Sequence, residues 1–193
     1  MIPTAFSPPI SSIYSLHIPH LISTLHHNQQ SHHRMQAMSR TIYLIIYKSP
    51  LFPAHWALWV PSEANPNIGK RIHAEGDAAT GFRLSFDRNY DITQDPRKYE
   101  ILALAEIERD LLLDTPGDGA NRVDAEPRDA VETVAAKVPP PGPSLISSTA
   151  TSCGTKVQIK NCQTWLVEVV SVLHDEGALG SKAVEVIKTA PKN

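Results

Sequence analysis

The sequence predicts an α+β fold, an antiparallel sheet packed against a helix that carries a cysteine. Three observations lead there. Short apolar or alternating segments separated by turn residues fill residues 41–105. A clear helical period begins at Asn161. Between the two runs a proline-rich crossing, so strands and helices are segregated along the chain, as in α+β domains.

The elements follow in order. The first 37 residues hold no Asp or Glu, six of the nine histidines, and breaks at Pro3, Pro8, Pro9 and Pro19. That composition reads as a disordered tail, with Met38 a candidate internal start. It lacks the Arg content of an organellar targeting peptide, having Arg34 alone, and no carboxylate or cysteine accompanies His26, His27, His32 and His33 to complete a metal shell. A single globular domain is expected over residues 38–193.

Thr41–Tyr47 (TIYLIIY) has no polar face, which is how a strand buried on both sides reads. After the turn SPLFPA, His55–Val60 (HWALWV) forms a second strand. Its alternation puts His55, Ala57 and Trp59 on one face and Trp56, Leu58 and Val60 on the other. Pro61–Gly69 is a loop, Lys70–Glu75 a short strand expected at an edge, and Phe82–Asp87 alternates again after the Gly76–Gly81 turn. Lys98–Leu113 suits either a strand or a helix, with strand preferred for Tyr99–Ala105. Asp114–Asp124 reads as a polar loop, and Pro127 as the start of a helix over Glu126–Lys137. Pro139, Pro140, Pro141 and Pro143 force an extended surface run into the Ser/Thr stretch near Thr151.

From Asn161 the rows Trp165, Val169, Leu173 and Cys162, Leu166, Val170 recur every four residues and define a helix ending at Gly177. Ser181 is the expected cap of a last short helix.

Composition limits the function classes. Hydrophobic residues make up 41% of the 193 and charged residues 20%, enough apolar material for one core. The net charge of -2 creates no basic field for nucleic acid or an anionic membrane, and no apolar run approaches the roughly 18 residues of a membrane span. Two cysteines, Cys153 and Cys162, form no CxxC pair, which favours a reducing compartment and a cytoplasmic location. Phosphate-loop, dinucleotide and zinc-cluster patterns are absent from the domain, so neither cofactor nor metal is expected.

The candidate chemistry gathers at Cys162, His55 and His73. In the first turn of a helix, unpaired N–H groups and the macrodipole favour a thiolate at Cys162. His55, at the mouth of a strand, can take the thiol proton. His73, on the next strand, can occupy an adjoining position and orient His55.

These residues carry a resemblance. HWALWV followed by the histidine of KRIHAEG resembles the strand pair of lecithin:retinol acyltransferase-like proteins, and NCQTWLVEVV resembles the helix start that carries their cysteine. The same NCQTW element is similar to that of the PPPDE family of isopeptidase-like proteins. Both groups have the circularly permuted papain-like fold, in which histidine precedes cysteine, as His55 precedes Cys162 here. The resemblance implies that His55 is the general base, His73 its orienting partner and Cys162 the nucleophile of an acyl-enzyme intermediate. Asn161 would shape the turn, with Gln163 in support. Gln163 and Thr164 stand where the acyltransferase-like group usually has a Glu-His pair, and the PSEANPNIG loop lengthens the gap from His55 to His73.

The expectation is therefore a cysteine-dependent hydrolase or acyltransferase acting on an amide, ester or isopeptide bond of a protein, peptide or acyl substrate. Two other classes stay open: a non-catalytic binding module on the same fold, and a redox-responsive protein that pairs Cys153 with Cys162. Trp56, Trp59 and Trp165 read as core.

Overall fold

A computed structural model describes residues 38–115, 119–144 and 159–193. The described residues belong to one unit, Met38–Asn193. Among the described residues the strands are β1 (Ser39–Tyr47), β2 (His55–Pro61), β3 (Ile68–Asp77), β4 (Gly81–Asp91), β5 (Tyr99–Glu108) and β6 (Arg122–Asp124). The α-helices are α1 (Ala130–Lys137), α2 (Cys162–Asp175) and α3 (Ser181–Thr189). The strands form one antiparallel sheet in the order β5-β1-β2-β3-β4-β6, so the class is α+β.

Residues β1 to β4 run as a meander, and β5 returns to pair with the outer side of β1 from Ser39↔Glu108 to Tyr47↔Tyr99. This makes β1 an interior strand. Alternation then divides its side chains: Ile42, Leu44 and Ile46 join the main core, while Ile45 and Tyr47 join a smaller cluster on the opposite face. The same rule sends Trp56, Leu58 and Val60 of β2 to the main core and Ala57 and Trp59 to the other cluster.

The helices cover the main-core face alone. Cys162, Trp165, Leu166, Val169, Val170 and Leu173 of α2 pack there with Ala183 and Ile187 of α3, the two rows that the helical period marks out. Trp165 also donates from its indole N–H to the Val138 carbonyl at 2.9 Å, tying α2 to the end of α1. Gly69 is required where β3 crosses β2, because a Cβ there would stand 2.2 Å from the Val60 carbonyl oxygen.

Four expectations change. The helix read as Glu126–Lys137 begins only at Ala130, because Asp129 caps it by accepting from the Glu132 N–H and Pro127 lies ahead of the first turn. The loop read as Asp114–Asp124 ends in β6, which pairs with β4. Gly180, not Ser181, occupies the cap position of α3. Finally, β3 is interior rather than an edge strand, so His73 is buried. The Ser/Thr stretch near Thr151 and Cys153 lie outside the described residues.

The α1 end of the sheet is held by buried charge. Glu132 accepts from Arg88 Nη1 and stands 3.0 Å from Lys70 Nζ; Lys70 also pairs with Asp129, and Arg88 with Asp124 at 3.0 Å. Burial pushes the Glu132 carboxyl up, but the Arg88 hydrogen bond and the Lys70 charge outweigh it and hold the group below the usual carboxylate range. Removing Glu132 would leave buried Lys70 with Asp129 alone and buried Arg88 with Asp124 alone, each short of a carboxylate. Glu132→Ala is expected to cost about 3–5 kcal/mol of stability, read as a lower urea midpoint at an unchanged slope; a loss below 1 kcal/mol would mean that Asp124 and Asp129 suffice.

Candidate active site at the start of β2

The site grows out of the face of the sheet turned away from the helices. The β2–β3 register pairs Leu58 with Ile72, so its continuation sets His73 opposite Ala57, and His55 lies on the same face one pleat nearer the strand start. Such diagonal neighbours are within reach of two imidazoles. His55 Nε2 and His73 Nδ1 are 2.9 Å apart, with the rings near-perpendicular at 78°.

Asp87 extends the line. It belongs to β4, opposite Arg71 of β3, and its Oδ2 lies 3.4 Å from His73 Nε2. The contact is longer than a well-aligned hydrogen bond, and His73 Nε2 has no other partner among the described residues. Arg71 donates to Asp87 from Nε at 2.6 Å and reaches it from Nη2 at 2.5 Å, and Ser85 Oγ donates at 3.3 Å. Burial raises the Asp87 carboxyl, but His73 and Arg71 prevail and hold it below its ordinary value.

An ionised Asp87 assigns the tautomers. His73 keeps its proton on Nε2, toward the carboxylate, and so accepts at Nδ1; His55 then donates from Nε2 and retains a lone pair at Nδ1. That Nδ1 makes no hydrogen bond among the described residues. Burial, followed by the electrostatic influence of neighbouring His73 and the charges of Arg97 and Arg71, drives the His55 pKa down to about 3, so the ring is neutral at pH 7. The Tyr47 ring stacks on His55 at 25° and 5.8 Å, and the Arg97 guanidinium sits 3.8 Å above the Tyr47 ring.

Cys162 opens α2 as expected. Asn161 caps the helix, accepting from the Gln163 and Thr164 N–H groups, while Thr164 Oγ1 accepts from the Asn161 N–H to close a capping box. The thiol nevertheless lies on the helix side of the sheet, in the main core with Trp56. Its sulfur is 4.0 Å from the Ala54 carbonyl oxygen and makes no hydrogen bond to His55, whose side chain leaves the strand in the opposite direction. The thiolate expected from the helix N-terminus is thus corrected. Burial raises the Cys162 pKa and overrides the Trp56, Gln163 and Cys162 N–H groups that favour the anion.

Gln163 is a brace. Its Nε2 donates to the Ala54 carbonyl at 2.7 Å and to the Lys192 carbonyl at 3.0 Å, fixing the start of α2 to the start of β2. The structure therefore joins His55 to His73, places Cys162 beside the backbone of the same strand start, and leaves thiol and imidazole apart. Asp87, Arg71 and Tyr47 escaped the sequence reading. Alternation along Phe82–Asp87 puts Ser85 and Asp87 on the His73 face, and that was the available signal.

Among the described residues no group of three or more His, Cys, Asp or Glu is placed to hold a metal ion, and no helix is long and apolar enough to cross a membrane. Residues 42–180 match DUF6540, described as a family of unknown function. No curated protein and no solved structure matches the chain.

The depressed His55 pKa sets a pH dependence. The unfolded chain binds this proton near pH 6.5 and the folded one only near pH 3, so stability present above pH 6.5 is lost as pH falls between those values. Urea unfolding from pH 7 to 4 should show a slope approaching about 1.4 kcal/mol per pH unit from this group. His55→Gln should flatten it; equal slopes in both proteins would mean that His55 is protonated in the fold.

Proposed function

The chain belongs to DUF6540, a family of unknown function, and we propose that it acts as a cysteine-dependent hydrolase or acyltransferase on a permuted papain-like fold. Amide, ester or isopeptide bonds of a protein, peptide or acyl substrate are the target. The observation that carries the reading is the Asp87–His73–His55 line, which ends in an unshared Nδ1 on the strand start whose backbone also meets the Cys162 sulfur.

The chemistry follows from that line. With the Cys162 side chain turned toward His55, Nδ1 takes the thiol proton. The thiolate then raises the imidazole pKa, because opposite charges stabilise one another in a site of low dielectric. The sulfur attacks the carbonyl carbon, and the Cys162 N–H at the start of α2 stabilises the oxyanion. The imidazolium returns its proton to the leaving group, giving a thioester, which water or a second acceptor resolves by the same base. Asp87 and His73 hold the His55 tautomer throughout.

A second reading has its own observation. The sulfur is buried, shifted toward the neutral thiol and not hydrogen-bonded to His55, which suits a binding module that keeps the groove without the chemistry.

Alkylation of Cys162 by iodoacetamide against pH, in the Cys153→Ser background, separates the two. The acyl-transfer reading expects the rate to inflect below the ordinary thiol range of about pH 8.5. The inflection should move upward in His55→Ala, and Cys162→Ala should abolish thioester formation with an activated acyl ester. An inflection at or above the ordinary value that is indifferent to His55 would leave the binding module as the better account.

A further inference from the structure

The residues that follow α3 are tied to the neighbours of the candidate nucleophile. Lys192 accepts through its carbonyl from the Ala54 N–H at 2.9 Å and from Gln163 Nε2 at 3.0 Å, and Pro191 accepts from the Trp56 indole N–H at 3.1 Å. The three donors belong to residues that flank the sulfur. Ala54 is the residue whose carbonyl lies 4.0 Å from it, Gln163 is its chain neighbour, and the backbone N–H of Trp56 faces it. Cys162 keeps only 6% of its surface exposed.

We propose that residues 190–193 form a strap that covers Cys162 and must lift before the thiol can react. This rests on the reading of Cys162 as the nucleophile, and the way the strap is held supports it. Ala190 is buried beside Ala183 and Ile187, but the side chains of Pro191, Lys192 and Asn193 are exposed, so only inward-facing carbonyls grip the domain. Beyond the Ala190 anchor, residues 191–193 have no buried apolar side chain and only a few hydrogen bonds, so that stretch opens locally without unfolding the sheet. The acceptors are backbone carbonyls, so lifting leaves Ala54 N–H, the Gln163 amide and the Trp56 indole N–H free to bond water or a substrate carbonyl.

The strap also forms one wall of a cleft of about 450 Å³, lined by Trp56, Gln163, Thr164, Val167, Ile187 and Lys192 among others. The cleft already reaches the first turn of α2 through Gln163 and Thr164, and lifting the strap extends it toward the sulfur. A substrate that takes over the three donors would hold the strap open, which couples binding to exposure of the nucleophile.

The test measures two rates on the full chain in the Cys153→Ser background: iodoacetamide alkylation of Cys162, and hydrogen exchange at the Ala54 amide, which reports the strap directly. Gln163→Met removes the strap hydrogen bond together with the brace to the Ala54 carbonyl, at similar side-chain size, and Ala190→Glu expels the buried anchor while leaving that brace in place. Each should speed both rates by the same factor, about tenfold for a hydrogen bond lost. In the unsubstituted strap, alkylation should depend only weakly on urea below the unfolding transition, as local opening does. Alkylation that stays constant while Ala54 exchange accelerates would overturn the proposal, as would alkylation with the full urea dependence of global unfolding. The pH profile reports separately on the chemistry. A strap that gates a thiol inflecting at the ordinary pH, whatever stands at residue 55, would leave the strap intact and remove the acyl-transfer reading.

Discussion

Alternation at the start of β2 is the constraint on which the rest of the molecule depends. His55 and Trp56 are consecutive, so their side chains must leave the strand on opposite faces. Trp56 goes to the helix side, where the main core and Cys162 lie; His55 goes to the face shared by Tyr47, His73 and Asp87. Any chemistry that combines the thiol with the imidazole must therefore take place around the end of the strand. That explains why the sulfur's polar neighbours on this strand are the backbone groups of Ala54 and Trp56 and not the His55 imidazole.

The two faces also differ in how they treat charge. On the helix side, buried Lys70, Arg88, Asp129 and Glu132 neutralise one another and attach α1 to β3 and β4. On the other side the cations Arg71 and Arg97 are set against tyrosine rings as well as carboxylates. Arg71 lies 4.0 Å above the Tyr90 ring while pairing with Asp87. Those cations help keep His55 neutral and Asp87 ionised. A neutral base next to an ionised carboxylate is the protonation state that general-base chemistry needs, and here it arises from positions spread over three strands and the segment joining β4 to β5.

A base with so low a pKa is weak until an anion forms beside it, and a buried thiol is poorly nucleophilic until it is uncovered. The two halves of the candidate site are thus each held in their neutral forms while apart. The strand end separates them, since His55 and the sulfur lie on opposite faces of the sheet. On the proposed acyl-transfer reading, exposure of the sulfur and creation of the ion pair are one event, since the thiolate is stable only where the imidazolium can face it.

Much of the architecture was legible in the sequence because it is written in local periods. TIYLIIY announced a strand buried on both faces, HWALWV assigned His55 and Trp56 to opposite sides, and the rows on either side of Cys162 marked the buried face of α2. The capping residue Asn161 was legible for the same reason, since a cap acts within one turn. What the tertiary structure alone decided is which distant segments meet. The return of β5 to β1 made β1 interior, the pairing of β3 with β4 buried His73 and gave it Asp87, and the carbonyls of residues 191 and 192 closed over the start of α2. A periodic pattern records which face of an element turns inward, but not which neighbour covers it. Desolvation, which pushes the Cys162 and His55 pKa values toward the neutral groups, exists only once that neighbour has arrived.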